Sequence, residues 1–188
     1  MKDLTELVFF GRGGQGAKTA ADILAEAALE RGKFIQAFSE YGPERQGAPV
    51  KAFTRISNKP IRLHCGITNP DVVIVIDPTL VKSENVTEGL DKNGILIVNT
   101  ADSKESIQKH TKFKGKIYTV DATKISLEIL GRNIPNTPIL GAIVKITNLV
   151  SLAAIKEKIH HKLGHKLGEQ IVNSNIKAVE RAYQEVNP

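Results

Sequence analysis

Apolar residues fall into short continuous runs separated by longer stretches of mixed spacing, the pattern of buried strands alternating with helices. Leu7-Val8-Phe9-Phe10 runs into Gly11 and predicts a buried strand. Ala17 to Arg31, rich in Ala, Leu and Glu with no internal Gly or Pro, predicts a helix closed by Gly32. Phe34 to Phe38 predicts the next strand, so the chain opens strand–helix–strand. Ser39 to Pro49 holds two Gly and two Pro and reads as a structured loop. Val50 to Ile56 reads as a half-exposed strand, Ser57 to Pro60 as a turn, and Ile61-Arg62-Leu63 as a hairpin return. Val72 to Ile76 has no polar face and predicts a central strand covered on both sides. Ile95 to Val98 repeats that pattern after Asn93-Gly94, and Lys116 to Val120 repeats it more weakly. Helices are expected at Asp102–His110 and at Ala122–Leu130, the second ending at Gly131. From Pro138 onward the spacing is helical, over Ile139–Leu149, Leu152–Leu163 and Leu167–Val186. There is no internal repeat and no low-complexity linker, so the expectation is one α/β domain over residues 1–188 with a helical C-terminal third.

A chain of 188 residues buries a core without disulfides. It has one cysteine, Cys65, which cannot close an internal disulfide or hold an iron–sulfur cluster alone. Aromatic residues make up 5% and Trp is absent, which argues against a base-stacking nucleic-acid surface. The net charge of +6 is scattered, apart from a Lys/His-rich stretch at 156–166, and reads either as a solubilising surface or as attraction to an anionic partner. No apolar run reaches membrane-spanning length, and the first residues carry no signal-peptide core, so a cytoplasmic protein is expected.

Gly11-Arg12-Gly13-Gly14-Gln15-Gly16 lies between the first predicted strand and helix. The spacing GxGxxG carries meaning only in that context. Glycines permit a tight turn and close backbone approach. The helix N-terminus behind them offers free N–H groups and partial positive charge to an anion, and Arg12 adds a full charge. The turn is therefore read as facing a phosphate-bearing ligand. The plainer reading is a turn that only packs the helix on the sheet. A dinucleotide site also expects an acid ending the second strand, and Glu40 matches poorly, falling in the predicted loop. A phosphate-binding loop of the Walker type needs Lys directly after the last glycine, where this chain has Ala17 before Lys18-Thr19.

Ligands in open α/β sheets bind outside the carboxyl ends of the strands. Five predicted strand ends carry polar residues: Gly11-Arg12, Ser39-Glu40-Tyr41, Asp77-Pro78-Thr79, Asn99-Thr100 and Asp121-Ala122-Thr123. If these strands are parallel, the five ends share one rim. For Asn99 and Asp121 helix capping or turn formation is the better reading; for Asp77 capping and ligand binding stand level.

The glycine turn reads together with Tyr41-Gly42-Pro43-Glu44-Arg45-Gln46-Gly47-Ala48-Pro49-Val50-Lys51-Ala52-Phe53, with Pro70–Val75, Asp77–Leu80, Gly131–Thr137 and Leu140-Gly141-Ala142. Over nearly its whole length the chain resembles the gamma subunits of the pyruvate/2-ketoisovalerate:ferredoxin oxidoreductases. The resemblance implies a three-layer α/β/α domain with a Rossmann-like, mostly parallel but mixed sheet. It implies an enzyme complex that decarboxylates a 2-oxoacid, forms an acyl-CoA and reduces ferredoxin. Thiamine diphosphate with Mg2+ is then expected on alpha and beta subunits and iron–sulfur clusters on a delta subunit. On this reading the chain carries no catalytic residue and no metal. It helps to assemble the complex and faces coenzyme A through Gly11, Arg12, Gly13, Gly14, Gln15, Gly16, Tyr41, Gly42, Pro43, Glu44, Arg45 and Asp77. Arg45 would grip a phosphate and Glu44 orient it, or the two would form an ion pair that shapes or docks the loop. Gln15 would alternatively reach toward the thiamine site. Lys18 departs from the family's small or apolar residues and either adds a phosphate contact or sits in solvent. Competing readings are a stand-alone NAD(P)- or nucleotide-binding Rossmann-like protein and a nucleotide-sensing module.

Two other groupings carry less weight. His161 and His165 have i, i+4 spacing, but Gly164 is expected to interrupt the helix and no carboxylate or Cys completes a metal set. His64 and Cys65, adjacent on a predicted strand, would point to opposite faces, with Cys65 semi-buried.

Overall fold

The computed structural model describes residues 2–41 and 47–187. Its elements are β1 (Leu4–Arg12), α1 (Ala17–Leu29), β2 (Phe34–Tyr41), β3 (Pro49–Ser57), β4 (Val72–Val75), α2 (Leu80–Ser83), β5 (Ile95–Asn99), α3 (Lys104–Thr111), β6 (Lys116–Val120), α4 (Ala122–Leu130), α5 (Ile139–Thr147), α6 (Leu152–Leu167) and α7 (Glu169–Glu185). The strands form one six-stranded sheet in the order β2-β3-β1-β4-β5-β6. β1, β4, β5 and β6 are parallel, while β3 runs antiparallel to both β1 and β2. The sheet is mixed and mostly parallel, with helices on both faces, as the resemblance implied.

Strand periodicity divides the core in two. Leu7, Phe9, Ala52, Ile56, Ile74 and Ile97 pack under α1, α4, α5, α6 and α7. Val8, Phe10, Phe53, Val73, Val75, Leu96 and Val98 pack under α2, α3 and the segments beside them. β4 is buried at every position, which is why its sequence shows no alternation. α1 buries Ala17, Ala20, Ala21, Ala25, Ala27 and Ala28, and these small side chains bring it close enough for Thr54 Oγ1 to donate to the Ala21 carbonyl at 3.1 Å. At the β6 edge one residue is paired, Thr119 and Asn187 exchanging backbone hydrogen bonds of 3.1 and 2.9 Å.

Several expectations are corrected. Ser39, Glu40 and Tyr41 belong to β2 rather than to a loop, paired in register with Ala52, Lys51 and Val50. Ile61–Leu63 forms no hairpin strand. β3 already has β1 on one side and β2 on the other, so no open edge is left beside it. Residues 58–71 instead cross the sheet irregularly, held by Gln36 Nε2 donating to Leu63 O at 2.9 Å and by Arg55. The Arg55 guanidinium, 1% exposed, meets Glu6 at 2.7 Å and donates to the Cys65 and Gly66 carbonyls at 3.0 and 3.2 Å. Cys65 is exposed, and neither it nor His64 lies on a strand. α6 continues through Gly164 to Leu167 and packs against α1 and α7. A carboxylate does approach the histidines: Glu169 Oε1 lies 3.7 Å from His160 Nε2. Among the described residues no group of three or more potential ligands could hold a metal. The one-turn helix α2 had no signal in the sequence. Among the described residues no helix is long and apolar enough to cross a membrane.

Candidate functional site at the strand ends

β2 runs in the same direction as β1, because each is antiparallel to β3. The carboxyl ends of β1, β2, β4, β5 and β6 therefore share one edge of the sheet, as the sequence anticipated. The start of β3 joins them, with Pro49 opposite Arg12 and Val50 opposite both Gly11 and Tyr41. Gly42, Pro43, Glu44 and Arg45 lie outside the described residues. Gly47 and Ala48, just before β3, meet the glycine turn: Gly13 N donates to Ala48 O at 2.9 Å, and Arg12 Nη1 to Gly47 O at 3.1 Å.

The turn is closed by its own side chains. Gln15 N donates to Arg12 O at 3.0 Å, while Gln15 Oε1 accepts from Arg12 N at 2.8 Å. Gln15 Nε2 donates to Asp77 Oδ2 at 2.6 Å, which ties the turn to the end of β4. Asp77 Oδ1 accepts from Thr79 N at 2.9 Å and from Thr79 Oγ1. Arg12 donates to Thr79 Oγ1 at 2.8 Å and lies 3.4 Å from Asp77 Oδ2. Gln15 and Asp77 are thus bonded to each other across the turn. Asn99 and Asp121 follow the structural reading: Asn99 joins Ile76 O to Thr123, and Asp121 caps α4 through Lys124 N at 2.8 Å. Lys18 reaches Asp22 at 2.7 Å along the outside of α1.

The glycines divide by role. Gly14 is exposed at φ +93°, and a Cβ there would meet nothing within 4 Å. A Cβ on Gly11 would come within 3.1 Å of the Ala17 Cβ, so Gly11 permits the helix–strand approach. Gly16, at φ +76°, is the N-cap of α1, and a Cβ there would fall 2.5 Å from Asn136 Nδ2. No side chain caps α1 and no acidic residue stands in its first turn; α5 likewise starts without a cap or an acid, whereas Ser103, Asp121 and Ser151 cap α3, α4 and α6. Free helix N–H groups of this kind favour an anion. Asn136 was not singled out as a site residue, because its place beside Gly16 depends on the loop before α5 folding back over α1.

Asp77 titrates below the ordinary carboxyl range. Burial opposes its ionisation, but the hydrogen bonds from Thr79 and Gln15 and the charge on Arg12 outweigh burial. A depressed folded pKa stabilises the protein above the unfolded value and loses that effect as pH falls through the folded one. Asp77→Asn is expected to cost about 1–2 kcal/mol near pH 7. The gap from wild type should begin to narrow below about pH 4, where the unfolded carboxyl takes up its proton, and should close only as pH falls through the lower folded pKa. Denaturation curves of the two proteins between pH 7 and pH 3 check this, and a gap independent of pH would refute it.

Glu40, in the edge strand β2, is separated from β1 by β3. At about 4.8 Å per strand it stands about 10 Å from Phe10, its counterpart in β1. In a dinucleotide site the second strand is the immediate neighbour of the first. This geometry counts against the stand-alone NAD(P) reading.

Residues 6–185 match the family described as pyruvate ferredoxin/flavodoxin oxidoreductase. The common gamma subunit of the pyruvate/ketoisovalerate oxidoreductases of Thermococcus kodakarensis is 52% identical over 181 residues, covering 96% of each chain. The crystal structure of pyruvate oxidoreductase subunit PORC (EC 1.2.7.1) from Thermotoga maritima superposes with a TM-score of 0.90 at 47% identity, over 99% of this chain and 98% of that one. A 2-oxoglutarate:ferredoxin oxidoreductase from Magnetococcus marinus, solved with 2-oxoglutarate, coenzyme A and succinyl-CoA bound, shares the fold at a TM-score of 0.81 and 19% identity. This chain covers 31% of that much longer one. The chain belongs to the pyruvate ferredoxin/flavodoxin oxidoreductase family, as the gamma subunit of a pyruvate synthase.

Proposed function

We propose that this subunit holds the phosphates of coenzyme A at the glycine turn. The carrying observation is that α1 starts at the ligand-binding rim of the sheet with no side-chain cap and no acid in its first turn. The exposed Gly14 leaves its backbone open to close approach. Gln15 and Asp77 brace the turn through their mutual bond, and Arg12, held by Thr79 and Gly47 and paired with Asp77 at 3.4 Å, offsets the Asp77 charge beside the turn. Tyr41 and the Gly42-Pro43-Glu44-Arg45 loop complete the site, with Arg45 gripping phosphate and Glu44 orienting it. Coenzyme A is among the ligands bound by the Magnetococcus marinus enzyme, which shares this fold. The rest of the reaction belongs to partners: thiamine diphosphate with Mg2+ on alpha and beta subunits, and iron–sulfur clusters that pass electrons to ferredoxin on a delta subunit. The chain functions inside the cell.

The test is to purify the complex through a tag on this chain and assay pyruvate- and CoA-dependent reduction of a viologen dye. Gly14→Asp puts a negative charge at the turn, and because φ of +93° strains any L side chain there, Gly14→Ala in the same assay separates strain from charge. The expected effect of Gly14→Asp is a KM for CoA raised about tenfold or more by charge repulsion at the site. An unchanged KM would remove the turn from the CoA site. A chain recovered alone that binds NAD or ATP tightly would sink the subunit role as well.

A further inference from the structure

We propose that the basic surface where α3 gives way to β6 docks an acidic face of a partner subunit in the oxidoreductase complex. Residues 104–116 hold five lysines, Lys104, Lys109, Lys112, Lys114 and Lys116, against one acid, Glu105, and so carry +4 of the chain's net +6. All five lysines are exposed, and none forms an ion pair with a described residue. Glu105 stands in the first turn of α3, at the far end of the helix from Lys112. The other lysine-rich stretch, 156–166, is treated differently by the fold. Lys156, Lys158 and Lys162 on α6 pair with Glu180 on α7 and with Glu26 and Glu30 at the end of α1, which neutralises them internally. Unneutralised positive charge therefore gathers beside α3.

Local structure accounts for only part of this cluster. Lys109 and His110 lie in the last turn of α3, where the helix dipole favours cations. Lys116 opens the edge strand β6, where a lysine discourages pairing with a foreign strand. Lys114 serves neither purpose. Lys112 follows α3 at φ +56°, a left-handed position that asparagine takes after α5 and glycine after α4. A lysine is strained there, and such strain persists where the side chain has a use. Between the two, Phe113 is buried, and Gly115 packs so closely on its ring and on the Lys92 carbonyl that an added Cβ would overlap both. The loop is thus anchored from inside and holds Lys112 and Lys114 outward. Like charges crowded in this way repel one another in the isolated chain, and an opposing acidic surface relieves the repulsion. A second copy of the chain cannot supply that surface through a two-fold contact, which would set lysine against lysine. The patch lies toward the amino ends of the parallel strands, away from the edge that carries the glycine turn, so a subunit docked there leaves the ligand rim uncovered.

This inference rests on the chain's place as a subunit and not on the CoA reading. Its test is Lys112→Glu/Lys114→Glu/Lys116→Glu in the complex purified through a tag on this chain. At low salt the yield of co-purified partner subunits is expected to fall about tenfold or more. The melting temperature of the variant chain should not fall, and any complex recovered should keep the wild-type KM for CoA. In about 0.5 M salt the difference in yield should shrink, because screening weakens attraction in the wild type and repulsion in the variant. Equal yields at low salt overturn the proposal, as does a variant that loses bound nucleic acid and keeps its subunits. If the wild-type chain itself recovers no partners, the subunit role fails; if wild type and variant recover them alike, only this surface fails. Should the variant melt lower than wild type, zero-length carbodiimide crosslinking of the wild-type complex decides. Links from Lys112, Lys114 or Lys116 to aspartates or glutamates of a partner subunit are expected, and links confined to this chain, or none, overturn the proposal.

Discussion

Replacing Arg55 by methionine is expected to lower the stability of the chain by about 3 kcal/mol and to expose residues 60–67 to proteases. Arg55 is the largest fully buried side chain among the described residues. Its guanidinium stands on the face of the sheet opposite α1, over the Phe38 ring, and answers four acceptors: Glu6 at 2.7 Å, Gln36 Oε1 at 3.0 Å and the carbonyls of Cys65 and Gly66. Methionine fills the stem's volume but leaves the two carbonyls and the Glu6 carboxylate without their donor. The estimate takes the lower end of the range for breaking a buried pair, since the Glu6 side chain keeps 18% exposure and recovers some water. For a chain of this length the corresponding fall in melting temperature is about 6–12 °C. Glu6→Gln should be damaging as well, because it strands a charge with no access to solvent. Thermal melts and limited proteolysis check both parts, and a variant that melts with wild type and resists cleavage at 60–67 would show that the sheet face holds this segment without Arg55.

The second large effect is expected at Gly141. α5 and α7 pack so closely there that an added Cβ would overlap the Val179 carbonyl oxygen and stand 2.8 Å from Tyr183 N. Both obstacles are backbone, so no side chain can turn aside. The facing surface of α7 is small for the same reason, with Ala178 and Ala182 buried beside Val179. Gly141→Ala gains a little helix propensity, up to about 1 kcal/mol. The overlap should cost about 3 kcal/mol or more and force the helices apart. Gly141→Val should leave little folded protein. Urea denaturation of the alanine variant is the measurement, and stability within about 0.5 kcal/mol of wild type would mean that α7 slides at no cost.

These two sites were legible to different degrees. Gly141 belongs to the Leu140-Gly141-Ala142 segment that carried part of the family resemblance, yet nothing local distinguishes it from any glycine in a helix. Its requirement arises only when α7 is laid across it. Arg55 had no signal at all. On a strand read as half-exposed, a basic residue is expected to face water, and the irregular segment that buries it was read as a hairpin. Glu40 was assigned to a loop because Gly42 and Pro43 follow closely, while the pairing with β3 extends the strand past it.

The sequence alone determined the order and type of most elements, the glycine turn between strand and helix, and the family. Buried strands and amphipathic helices write their periods into neighbouring residues, and a turn that needs positive φ requires glycine locally. The tertiary structure decided what depends on pairing over distance. It placed β3 between β1 and β2, which closed the hairpin edge and moved Glu40 away from the turn. It tied Gln15 to Asp77, and it brought Asn136 to Gly16 from 120 positions further along the chain. Such contacts join side chains whose separation in sequence bears no relation to their separation in space, so no local pattern encodes them.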